Sequence, residues 1–189
     1  MQRLQAKLAR LNAHSERLLD EMSLAGDHVL ARPPVSGAWT PLQALHHVQL
    51  VERTSVDYLR YKLEQGAAPP PLTLRARARG KLLRAVMASP LKFQAPQKVD
   101  SRHVPGRTKR LSLDELAFTL RSTRQELQEL LERMPPDWRR GAVYRHAMGG
   151  RMSLGDMMGF FAVHHARHAK QIRRALAQNT RNYRRQKAG

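Results

Sequence analysis

The sequence predicts an all-α protein folded as a four-helix bundle, and three observations predict it. Apolar residues recur at helical spacing in four separate stretches. Proline-bearing segments break the chain between the first and second, second and third, and third and fourth of them. No stretch shows the strict alternation of a half-buried strand. Core material is adequate for 189 residues, with 41% hydrophobic side chains but only 5% aromatic ones, so Leu, Met, Val and Ala must fill the interior.

The first helix is marked by Leu4, Leu8, Leu11, Leu18 and Met22, with Ser15 in the gap, and is expected to end near Gly26. A loop containing Pro33, Pro34 and Gly37 then delivers Trp39. Thr40 followed by Pro41 starts the second helix, which runs to about Gln65, where GAAPPP stops it. Residues 66–110 read as a basic, irregular insertion with a short helix around Lys81 to Met87. Ser112 and Glu115 form a capping-box signature for the third helix, whose seam is Leu116, Leu120, Thr123, Leu127, Leu130 and Met134 before Pro135 and Pro136. The fourth helix follows Gly149 and Gly150, with Ser153 as cap and Leu154, Met157, Phe161, His164, His168 and Ile172 along one stripe. One domain is expected over 1–178, with 179–189 a basic C-terminal tail.

Composition narrows function. The absence of cysteine excludes disulfides, zinc ribbons, iron–sulfur ligation and a thiol nucleophile, so any metal must use nitrogen or oxygen donors. The apolar run from Met157 to Val163 is far shorter than the roughly 20 residues that cross a bilayer, and the N-terminal segment lacks a signal-peptide pattern. A cytoplasmic protein with no membrane contact is expected. The net charge of +19 is unevenly spread: Arg75 to Arg110 holds eleven Lys or Arg against Asp100 alone, and the segment from Arg173 onward adds six with no acid. Those two segments could bind nucleic acid weakly.

Nine histidines are present, and two of them are paired. His164 and His168 stand at i and i+4, so both rings leave the apolar face of the fourth helix one turn apart. Buried imidazoles without partners would cost on the order of 1–3 kcal/mol each, a cost that a shared divalent metal removes. On the second helix, Val51, Thr54 and Tyr58 lie within roughly 40° of His47, whereas His46 shares its side with Gln49, Arg53 and Asp57. His47 is therefore expected to face inward and His46 to face solvent. His165 also falls on the apolar side and lies i,i+3 from His168, which makes it the alternative ligand to His164. Three neutral nitrogen donors suit zinc or nickel in an open, catalytic type of site.

At these residues the chain resembles the DinB-like (YfiT-like) superfamily of metal-binding four-helix bundles. WTPLQALHHV at 39–48 is similar to the family's Trp-Ser/Thr start of the second helix with its histidine, and SLGDMMGFFAVHHARHAKQI at 153–172 to its His-x-x-x-His on the fourth. The resemblance spans most of residues 1–178 and implies His47, His164 and His168 as the metal triad. It also matches Glu52, five places after the first ligand, and Gln171, one turn after the last, as residues supporting the metal; read without it, both are ordinary solvated side chains. Leu50 stands where many relatives carry Asp. The resemblance implies a metal-dependent enzyme of the transferase or hydrolase kind acting on a small-molecule substrate. In thiol-dependent S-transferases of this type the metal activates a low-molecular-weight thiol cosubstrate. It further implies that PLKFQAPQKV lies near the site mouth. Two other readings follow from the residues: a non-catalytic helical module holding nucleic acid through its basic insertion and tail, and a homodimer formed through bundle faces, which is compatible with either function.

Overall fold

A computed structural model describes residues 2–89, 99–101, 112–139 and 141–188. Six α-helices account for most of it: α1 (Gln2–Ser23), α2 (Asp27–Leu30), α3 (Pro41–Glu64), α4 (Leu74–Ala88), α5 (Leu113–Arg133) and α6 (Leu154–Ala188). The chain is an all-α four-helix bundle in which α3 packs on α5 and α6 and α1 packs on the same two helices. Among the described residues, no helix is long and apolar enough to cross a membrane.

The caps form where their residues predict. The Thr40 hydroxyl accepts from the Gln43 N–H at 3.0 Å while the Gln43 side chain accepts from the Thr40 N–H at 2.9 Å, with Pro41 at the first helical turn. This closed box fixes where α3 begins, and hence the height of His47 in the bundle. Thr40→Ala is expected to cost about 1 kcal/mol and Thr40→Ser much less, measurable as the shift in urea midpoint. The Ser112 hydroxyl accepts from the Glu115 N–H at the start of α5, and the Ser153 hydroxyl from the Asp156 N–H at the start of α6.

Four features differ from the sequence expectation. The first helix stops at Ser23, and the four-residue α2 follows instead of a simple loop. The insertion holds a 15-residue helix, α4, docked on α6 through Gly80, Leu83 and Met87. A Cβ on Gly80 would stand 3.4 Å from the Asp156 carboxyl carbon, in ordinary contact, so the two helices meet closely at this position. A short hairpin appears between α5 and α6, with β1 (Tyr144–His146) paired antiparallel to β2 (Gly150–Met152), and Gly150 takes φ +67°, which a side chain would resist. Finally, α6 does not dissolve after Gln178. Asn179 is buried and donates to the carbonyls of Val29 at 2.8 Å and Arg32 at 2.7 Å, while Tyr183 packs on His28, so α2 is the surface that keeps the extension helical.

The core is divided in two. One apolar cluster includes Leu11, Val56, Leu127, Leu130 and Phe161; the other includes Leu18, Leu45, Leu120 and Ile172. Between them in sequence on every bundle helix lies a buried polar residue: Ser15 on α1, Glu52 on α3, Arg124 on α5 and His165 on α6. These four are hydrogen-bonded as a chain. Arg124 grips the Glu52 carboxylate with Nε and Nη2 at 2.7 and 2.9 Å and donates from Nη1 to the Ser15 hydroxyl at 2.6 Å, which in turn contacts His165 Nε2 at 2.8 Å.

Candidate metal centre

His47 comes from the second turn of α3, and His164 and His168 from adjacent turns of α6. Each offers a ring nitrogen, and the three nitrogens lie within 4.8 Å of one another. His47 Nε2 and His164 Nε2 are 3.1 Å apart. The rings are 5%, 5% and 8% exposed, so solvent does not satisfy them. Trp39 stacks on His168 and leans on His47, and Phe160 stacks on His164, which walls the cluster with aromatic carbon.

Two contacts set the protonation of the rings. His47 Nδ1 is 2.6 Å from the Val99 carbonyl oxygen, which can only accept, so Nδ1 carries the hydrogen. The neutral ring then presents a bare Nε2 lone pair to the cluster. His168 Nδ1 likewise donates to Gln171 Oε1 at 2.9 Å, leaving its Nε2 bare. Burial pushes the His47 imidazole below its ordinary value, against the pull of the Val99 carbonyl and Asp100. Burial, with His168 and His47 as neighbours, holds His164 well below. His168 is pushed by burial, and then by His47, to about 3. All three are therefore neutral at neutral pH, the form in which imidazole binds a metal. The 3.1 Å contact of His164 with the bare His47 Nε2 can be closed by a neutral His164 Nε2–H, and with that hydrogen on Nδ1 instead, three neutral nitrogen lone pairs face one another, an arrangement that a cation stabilises. The donor set thus fits a divalent ion of the zinc or nickel type.

Of the other predicted residues, only one reaches the cluster. Gln171 touches the cluster, as the partner that fixes the His168 ring. His165 does not join it; its Nε2 is committed to Ser15 on the other side of α6. Glu52 is not a solvated side chain but 1% exposed, and its carboxylate belongs to Arg124 rather than to the histidines. His46 does not face solvent: it is fully buried, with Nδ1 2.7 Å from the Ser101 hydroxyl. The wheel of an isolated helix misplaces it because Ser101 of the insertion contacts that side of α3, where Gln49 is buried as well. PLKFQAPQKV lies outside the described residues except for Val99, whose carbonyl reaches His47.

Sequence reasoning missed the Val99 carbonyl, for which a backbone atom leaves no signal. It also missed Arg124, for which a signal existed: an arginine four residues after Leu120 and three before Leu127 sits on the apolar seam, and such a charge needs a buried partner.

A buried three-histidine cluster shared by two helices of a bundle defines a class of helical protein able to hold a metal ion. The chain belongs to the DinB superfamily, whose sequence profile matches residues 4–172. No curated protein and no solved structure matches it.

Proposed function

We propose that the protein is a metal-dependent enzyme of the S-transferase or hydrolase kind, with His47, His164 and His168 as the ligands of a zinc or nickel ion. The observation that carries this reading is the convergence of three buried imidazole nitrogens, two of them on rings whose far nitrogen is tied to a fixed acceptor. The ion would supply Lewis acidity, lowering the pKa of a bound water or of a low-molecular-weight thiol. The chain's residues do the rest. Val99 and Gln171 hold the tautomers that aim Nε2 of His47 and of His168 inward. Trp39 and Phe160 keep bulk water from the rings, so a charge developing there is felt at short range. A cysteine-free chain provides no competing thiolate of its own, in keeping with a thiol that arrives as cosubstrate.

The test is metal analysis after loading with zinc or nickel and desalting. The unaltered chain is expected to retain about one equivalent and His168→Ala to lose most of it, whereas His165→Ala retains the metal. Equal metal in the unaltered and His168→Ala proteins would remove the proposal.

A further inference from the structure

A second concave site lies at the other end of α3. From His47 to Tyr58 is about three helical turns, or roughly 16 Å at 1.5 Å per residue, so this site is separate from the histidine cluster. It is a cavity of ≈ 160 Å³ bounded by Tyr58, Lys62, Trp138, Tyr144, Arg145 and Arg151. That volume is about an order of magnitude above the ~10–15 Å³ that one water needs. Its far wall is the segment after α3: Ala142 donates to the Pro70 carbonyl at 2.9 Å, and a Cβ on Gly141 would stand 2.4 Å from the Pro69 ring. The proline-rich stretch and the chain entering β1 are thus pressed together, and the cavity has a built rim.

Its charge is one-sided. Three cations and no carboxylate line the cavity. Among the described residues, the side chains of Lys62, Arg145 and Arg151 make no hydrogen bond or ion pair, as is common in a chain with 34 Lys or Arg against 15 Asp or Glu; what sets these three apart is that they border one cavity. Arg145 and Arg151 are also directly opposed across the hairpin, a pairing in which like charges destabilise the strands. An anion set between them turns that repulsion into a clamp, and guanidinium groups suit phosphate oxygens in geometry as well as charge. Half-buried Tyr58 and the edges of Trp138 and Tyr144, which otherwise belong to the core, give the remaining wall an apolar character that an inorganic ion would not use.

We propose that this cavity binds a small organic phosphate, with Lys62, Arg145 and Arg151 holding the phosphate and Tyr58, Trp138 and Tyr144 the apolar body. Phenyl phosphate is the probe, titrated calorimetrically into the full chain at fixed ionic strength. Saturable one-to-one binding is expected, tighter than that of inorganic phosphate or of benzoate. The Arg145→Gln/Arg151→Gln double variant should weaken it by at least about tenfold, and His168→Ala should leave it intact, because the two sites are separate. Both arginines are exposed, so the double variant keeps its core; its thermal midpoint without ligand should equal or exceed that of the unaltered chain as the cross-strand repulsion disappears. The proposal is overturned by an absence of saturable binding, by equal affinity in the double variant, or by benzoate binding as tightly as phenyl phosphate. A single-stranded oligonucleotide that loses its affinity in the double variant, while phenyl phosphate keeps its own, would overturn it in favour of a nucleic-acid surface.

Discussion

Arg124→Met is expected to lower folding stability by about 3–5 kcal/mol, the usual cost of stripping one partner from a buried ion pair. Arg124 is 4% exposed and Glu52 1%, and the guanidinium reaches both carboxylate oxygens. Removing it leaves a carboxylate inside the bundle with no compensating charge, and leaves Ser15 without its donor at 2.6 Å. Neutralising both partners together, as Glu52→Leu with Arg124→Met, should recover much of the loss, since a buried pair seldom outperforms well-packed hydrocarbon of similar volume. Urea denaturation of the two single variants and the double variant measures the coupling directly. A single-variant cost below about 1 kcal/mol would mean that the pair is not closed off from water as the structure has it.

The second large effect is acid sensitivity of the metal-free protein. Burial holds the His168 imidazole at about 3, with His47 adding to it, and burial holds His165 at about 3, with Arg124 adding to it. In the unfolded chain both rings titrate near 6.5. Below that pH the unfolded chain takes up protons that the folded one refuses, so the stabilisation is complete above about 6.5 and is lost as pH falls toward about 3. Each ring contributes a slope of about 1.4 kcal/mol per pH unit, and the two together about 5 kcal/mol between pH 6.5 and 4.5. Urea midpoints of chelator-treated protein across that range should fall steadily, and His168→Leu should lower the slope by one ring's share, about 1.4 kcal/mol per pH unit. A stability that does not change between pH 7 and 5 would contradict the burial of these rings.

Much of the fold was legible because it is local. The caps at Thr40, Ser112 and Ser153 involve residues three apart, and the seams of α1, α3, α5 and α6 are set by helical period alone. The convergence of His47, His164 and His168 could be read because each belongs to such a seam. What escaped depends on distant segments. His46 is buried by Ser101, Glu52 finds its partner on another helix, and α6 extends because Val29 and Arg32 offer carbonyls to Asn179. The strands of the hairpin have three residues each, too few for alternation to show. In α4, alternating Arg and Ala weaken the helical stripe, and one of its few buried positions is a glycine.

The hydrogen bond from His47 to Val99 joins residues 52 apart in sequence, whereas the His168–Gln171 contact closes within one turn. A contact of that span carries a loop-closure cost that local helix formation does not, so it is expected to form after α3 itself. The three rings therefore become a competent ligand set in two stages. The α6 pair is organised as soon as its helix exists; the α3 ring acquires its tautomer only when the insertion has closed. A metal ion that needs all three rings would, on this order of events, be captured only once the fold is complete.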